Sequence, residues 1–201
     1  MGRFAELLAH DGVQEDLELR SRFGFLAFHG GNLEVGTDVV AARAAEASGA
    51  SLYAVRQPDG LRWHVPSIEV TPDESDSLGA FLDHVDVTVA LHGYGREGMW
   101  TTLLLGGGHR ALATHLAGHL RAALPDYEVV DDLDAIPPAL RGVHRANPVN
   151  RARGGGVQIE LPPRVRSWTP FWSELAPGDP IPHLAPLVDG LVAAALSWPT
   201  G

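Results

Sequence analysis

Apolar runs alternate with stretches of helical period along this chain, and glycine-rich turns separate them. Phe23 to Phe28 (FGFLAF) is a short apolar run that predicts a strand, followed at once by His29 and Gly30-Gly31. Val39 to Ala47 is alanine-rich and predicts a helix, with Thr37 or Asp38 as its N-cap and Gly49 as its stop. Ser51 to Val55 reads as a second strand and Asp76 to His84 as a helix. Val85 to Leu91 (VDVTVAL) is β-branched and apolar, which predicts a central strand, and His92 follows it directly. Thr101 to Leu105 is a further strand, ending in Gly106-Gly107-Gly108. His109 to Leu124 is the clearest amphipathic helix, with Leu112, Leu116, Leu120 and Ala123 on one stripe and Pro125 as its stop. Short strands over Tyr127 to Val130 and Val157 to Leu161, and a terminal helix over Ile181 to Trp198, complete the pattern.

Strands separated by helices imply βα units. The expected fold is therefore α/β: one domain, residues 1–201, with a mostly parallel or mixed sheet between helices on both faces. Residues 1–20 read as an N-terminal extension, and 167–201 as a Pro- and Trp-rich loop followed by the terminal helix. In open sheets of this kind, sites gather beyond the carboxyl ends of strands. His29 and His92 both hold that position.

Composition narrows the chemistry. A length of 201 residues with 45% apolar content fits a single domain with a sizeable core. No apolar stretch is long enough to span a membrane. The first twenty residues are acidic and lack the pattern of a signal peptide, so a cytoplasmic location is expected, with release by lysis or another route leaving no trace. Cysteine is absent, which excludes disulfides, thiolate nucleophiles and Cys-type zinc sites. Any metal must be held by His, Asp and Glu, and that donor set leans toward catalysis.

The net charge of −10 argues against general nucleic-acid binding, and nothing points to a protein partner. Charge is unevenly spread, however. Arg141, Arg145, Arg151, Arg153, Arg164 and Arg166 lie in a stretch whose only acid is Glu160, so a local basic patch for an anion is expected there.

The segment FHGGNLEVGT (Phe28 to Thr37) brackets a glycine turn with His29 and Glu34, and ALHGYG (Ala90 to Gly95) supplies His92. Two imidazoles and one carboxylate form a known catalytic zinc set. His115 and His119 share a helix face without an intervening Glu and read as solvated; His64, in RWHVPS, is a weaker candidate. In VQIEL, Gln158 and Glu160 alternate away from Val157, Ile159 and Leu161. That makes Glu160 either a candidate base or a solvated strand residue. RANPVNR offers Asn147, Asn150 and Arg151 as donors for a substrate carboxylate, or is simply a polar loop.

At LAFHGGNLEVGT, VALHGYG, LLLGGG, NPVNR and GGGVQIEL with its Arg-ended tail PPRVR, the chain resembles the poly-γ-glutamate hydrolase family, zinc enzymes related in fold to carboxypeptidases. The segments fall in the family's order from Leu26 to Arg166. The resemblance implies one zinc ion (Zn2+) per chain on His29, Glu34 and His92, and Glu160 as the catalytic carboxylate. It implies hydrolysis of the γ-linked amide of an anionic glutamate-type substrate. The sequence departs at Asn32, where a small residue is usual, and at PPRVR in place of a Ser-Arg-Gly-type run. Two other readings stay open: an amidohydrolase of small N-acyl or γ-glutamyl amino acids, and a non-enzymatic anion- or nucleotide-binding module built on LLLGGGHR (Leu103 to Arg110).

Overall fold

The computed structural model describes residues 2–166 and 181–199. Residues 167–180, most of the Pro- and Trp-rich segment, lie outside the described residues. A seven-stranded mixed sheet runs through the molecule in the order β1-β3-β2-β4-β7-β5-β6. The strands are β1 (Gln14–Glu18), β2 (Phe23–Gly31), β3 (Ser51–Gln57), β4 (Val87–Gly93), β5 (Thr102–Leu105), β6 (Glu128–Val130) and β7 (Gly156–Leu161). The helices are α1 (Arg3–Leu8), α2 (Thr37–Ser48), α3 (Asp76–His84), α4 (Arg110–Ala123), the single turn α5 (Pro163–Arg166) and α6 (Leu184–Ser197).

Strand burial explains the layering. β2, β4, β5 and β7 are buried almost throughout, as strands covered on both faces must be. One core joins Phe25, Ala27, Val89, Leu91, Val157 and Ile159 of the sheet to α2, α4 and α6. The other joins Leu26, Phe28 and Ala90 to α1 and α3 through Phe4, Leu7, Leu78 and Phe81. Each of the Val, Leu, Ile and Phe side chains among these contributes about 1.5–3 kcal/mol by leaving water. Residues 3–18, expected as an extension, thus supply a core helix and an antiparallel edge strand on β3.

The helix starts differ in one respect. α2 begins after Gly36, at φ 87°, and neither Thr37 nor Asp38 caps it. Asp38 instead turns back to accept the Gly31 N–H at 3.1 Å. His115 and His119, expected on a solvated face, are half-covered by the end of α6; the Ser197 hydroxyl contacts their Nε2 atoms at 3.2 and 3.0 Å. Among the described residues, no helix is long and apolar enough to cross a membrane.

Topology places the site. β2, β4 and β7 are adjacent and parallel, so their carboxyl ends open on the same edge of the sheet. β5 runs antiparallel to β7, so its own carboxyl end meets the opposite end of that strand.

Candidate metal centre and active site

His29, His92 and Glu160 come from those three neighbouring carboxyl ends. Strict alternation along β2 would put His29 on the side of Phe25 and Ala27, whereas His92 alternates with Ala90 on the other. The β2–β3 register shifts by one residue between Ala27 and Gly30. This bulge turns His29 toward the His92 face, a common use of bulges beside active sites. The two imidazoles end with centroids 5.0 Å apart, and the Phe28 ring stands edge-on to both.

Glu34 closes the group from the loop after β2. Its N–H donates to the His29 carbonyl at 3.0 Å, and its own carbonyl accepts the Thr37 hydroxyl at 2.8 Å, which fixes the turn. One carboxylate oxygen lies 3.0 Å from His29 Nδ1 and the other 3.3 Å from His92 Nδ1. The second oxygen also accepts the Gly93 N–H at 2.9 Å. Candidate ligand atoms of His29, Glu34 and His92 all lie within 4.8 Å of one another. Burial pushes the Glu34 carboxyl up, but the two imidazoles outweigh it and hold it well below the usual carboxylate range. Burial pulls His92 down, and the Glu34 and Glu160 carboxylates more than reverse that.

The donor set fits a zinc ion. His29 Nε2 lies 2.8 Å from the Val65 carbonyl, which can only accept, so that nitrogen carries the proton. Its Nδ1 is then the atom turned toward the Glu34 carboxylate, where a metal ion between the two could be held. Backbone-anchored imidazoles of this kind are usual in metal sites. His92 departs from that habit: its Nε2 is buried with no hydrogen-bond partner among the described residues.

Glu160 sits beside His92, its register partner on β4. It is 5% exposed and accepts from Gln158 Nε2 at 2.8 Å. Burial, reinforced by the Glu34 charge, raises its pKa from the ordinary carboxyl value to about 7, against the lowering effects of His92, Gln158 and Arg166. Such a value suits a group that must both take and return a proton near neutrality.

These side chains floor a cleft of about 630 Å³. Asn147 lines it too, donating to Gln158 Oε1 at 2.8 Å. The rest of RANPVNR behaves otherwise than expected. Asn150 braces its own loop, donating to the Gly142 and His144 carbonyls and accepting from Gly108 N. Arg151 leaves the turn on the exposed surface, where it reaches the Thr71 hydroxyl at 3.3 Å, and it does not line the cleft. The reason is the 3-10 turn Pro148–Asn150, which keeps Asn147, Pro148 and Val149 buried and brings Arg151 out to the surface.

The expected basic patch is dispersed as well. Arg141 donates to the Ile136 carbonyl, Arg153 lies 3.6 Å from Asp86, and Arg166 is buried. The Gly106–Gly108 loop is no anion cradle: the N–H groups of Gly106, Gly107, Gly108 and His109 go to Gln158, Arg141, Asn150 and Gly156. It also lies at the amino end of β7, away from the imidazoles.

Two residues gain weight in the structure. The His64 ring lies 4.8 Å from that of His29 and lines the cleft; its link to the site runs through the long β3–α3 connection, which has no periodic signal. Arg166 packs under the floor; the sequence marked it only as one of the basic stretch and as the end of PPRVR.

The comparisons agree with this fold. The solved structure of a bacteriophage poly-gamma-glutamate hydrolase is similar at TM-score 0.73 and 24% identity, over 94% of this chain and 91% of that one. The zinc-free apo form of YNDL is similar at TM-score 0.63 and 26% identity, over 75% and 71%. Among curated proteins none matches. The model of the poly-gamma-glutamate hydrolase family matches residues 3–172, and on that match the chain belongs to this family.

Proposed function

We propose that this chain is a zinc-dependent hydrolase of γ-glutamyl amide bonds, acting on poly-γ-glutamate, with His29, Glu34 and His92 as metal ligands and Glu160 as general base. The observation that carries the reading is the convergence of two imidazoles and a carboxylate beside a second, protonatable carboxylate at one sheet edge. Zinc is favoured by the nitrogen-rich donor set and by YNDL, a similar chain described in a zinc-free form. The bacteriophage relative supplies the substrate class.

His29, Glu34 and His92 would hold the zinc ion, which would supply Lewis acidity for the scissile carbonyl and for the attacking water. Glu160 takes the proton of the attacking water and returns it to the leaving amine. Its Oε1 is held by Gln158, which leaves Oε2 for the proton. Asn147 holds Gln158 in turn. The Glu34 turn and the Val65 carbonyl hold the imidazoles, so the site is organised before substrate arrives.

The small-substrate reading keeps one specific support. Ile68 and Val143, each about half exposed, line the cleft and would be covered by an apolar flank of a substrate. Incubating the purified protein with poly-γ-glutamate and with γ-glutamyl dipeptides, with and without chelator, decides the matter. The proposal expects zinc-dependent chain shortening that Glu160→Gln abolishes. Turnover of dipeptides alone would assign the small-substrate activity, and full polymer cleavage by metal-stripped protein would overturn zinc dependence.

A further inference from the structure

Among the described residues Arg166 makes no hydrogen bond to the side chains of the proposed ligands, yet its guanidinium lies among the segments that carry them. Nε donates to the Leu161 carbonyl at 3.0 Å, Nη1 to the Val35 carbonyl at 2.7 Å, and Nη2 reaches the Tyr94 carbonyl at 3.5 Å. Leu161 follows Glu160, Val35 follows Glu34, and Tyr94 lies two residues beyond His92. A single side chain therefore bonds the backbone next to the base, next to the carboxylate ligand and just past an imidazole ligand.

The surroundings are shaped to admit it. Arg166 is 8% exposed. A Cβ at Gly93 would stand 2.4 Å from its Cζ, and one at Gly36, where φ is 87°, would stand 2.3 Å from its carbonyl oxygen. Gly93 is not among the glycines with positive φ, and the first atoms a side chain there would meet are those of the Arg166 guanidinium. Burial pushes the Arg166 pKa down, and the carboxylates of Glu34 and Glu160 act against that, so the cation also balances buried negative charge.

We infer that Arg166 is the positioning residue of this site, a three-way clamp that sets the mutual geometry of Glu34, His92 and Glu160. The inference rests on the ligand assignment proposed above. Its planar fork of donors suits three carbonyls at once; a lysine ammonium keeps the charge but cannot reproduce the fan of bonds. Loss of such an outer partner weakens metal affinity about 10–100-fold in comparable sites.

The test is a double-mutant cycle with zinc affinity as its readout, measured by competition with a chromogenic chelator. The proteins are native, Arg166→Ala, Gly93→Ala, the double variant and Arg166→Lys. Each is also followed by circular dichroism and by kcat and KM. Arg166→Ala is expected to keep its secondary structure, to bind zinc about 10–100-fold more weakly and to lose kcat more than KM. Gly93→Ala should reproduce the defect by displacing the guanidinium, and should add little in the Arg166→Ala background, where the space is free. Arg166→Lys should recover only part of the affinity. If Arg166→Ala does not fold, Gly93→Ala, which keeps the arginine, carries the test against native protein. Native-like zinc affinity and kcat in Arg166→Ala, or in Gly93→Ala where that is the surviving variant, would overturn the clamp. Additive effects in the cycle would also overturn it. Native protein that binds no zinc would instead overturn the ligand assignment on which it rests.

Discussion

His92 and Glu160 face each other as register partners on the adjacent parallel strands β4 and β7. Neighbouring parallel strands stand about 4.8 Å apart, so the pairing alone sets a carboxylate beside an imidazole. Only an even register shift would keep both on the same face, and the buried alternation of both strands fixes the register. The base and one ligand are thus tied by the hydrogen-bond ladder rather than by loop conformation.

Glu160→Gln is expected to lower kcat about 10²–10⁴-fold while zinc content stays at the native level. The amide keeps the shape and can still accept from Gln158 Nε2, but it cannot take a proton. Metal analysis alongside kinetics checks this; native-like turnover with full zinc would return Glu160 to an ordinary strand role.

The same substitution has a signature in metal-free protein. The Glu160 carboxyl is raised to about 7 in the fold, against an ordinary value of 4.5. The folded state therefore holds this proton over a range where the unfolded chain has released it. Native stability should fall as pH rises from about 4.5 through about 7, and Glu160→Gln should remove that loss. Its advantage over native protein should grow by a few kcal/mol between pH 5 and 8, at about 1.4 kcal/mol per pKa unit. Urea melts at the two pH values measure it. A constant difference between the two proteins would mean that Glu160 ionises without cost in the fold.

Chelation should lower Tm, and zinc should restore it. Free zinc at a hundredfold excess over Kd stabilises the folded state by about 2.7 kcal/mol, which in a chain of this size is roughly 5–10 °C. His92→Ala and Glu34→Ala should lose the response. Scanning calorimetry with and without chelator reads it directly. An unchanged zinc response in either variant would remove that residue from the ligand set.

Much of this site was legible in the sequence because its residues sit at strand ends. FGFLAF-HGG and VTVAL-HG mark where apolar runs end, and a parallel arrangement brings the imidazoles in the last residues of β2 and β4 to one edge of the sheet. The alternation of VQIEL likewise placed Gln158 and Glu160 on one face. What the pattern could not carry was the bulge at His29, which depends on pairing with β3, and the direction of β5, which depends on which strand it joins. Arginine identity alone did not reveal placement either. Arg151 follows a turn that leads outward, whereas Arg166 follows a single helical turn that folds it back under Gly93.

Arg151→Ala should accordingly leave kcat/KM on γ-glutamyl substrates within about twofold of native. The hydrogen bond of its side chain, to Thr71, lies on the exposed surface, and surface substitutions away from special features usually move stability by less than about 0.5 kcal/mol. Parallel kinetics on a γ-glutamyl dipeptide and on polymer check both substrate classes. A selective loss on the anionic polymer would return Arg151 to substrate recognition at a distance from the cleft.

Asn147 carries the last prediction, through a chain of bonds whose polarity is fixed at one end. The Val149 N–H can only donate, and it donates to Asn147 Oδ1 at 3.2 Å. Asn147 must then turn Nδ2 to Gln158, whose Oε1 accepts at 2.8 Å. Gln158 is left to present Nε2 to Glu160, at 2.8 Å. A backbone amide thereby decides that the base receives a donor. Without Asn147, Gln158 is free to flip, and Glu160 loses a bond that favours its charged, proton-accepting form. Asn147→Ala is expected to reduce kcat on the order of tenfold with KM little changed, since one such bond is worth about 1 kcal/mol. Asn147→Asp should do worse, because it replaces the donor facing Gln158 with a second acceptor and adds a charge near Glu160. Gln158→Leu should match Asn147→Ala in kcat, and combining the two should cost little more than either alone. Steady-state kinetics of the three single variants and the Asn147→Ala/Gln158→Leu pair settle the point. Multiplicative losses in that pair would show that Asn147 acts on the site by some route other than Gln158.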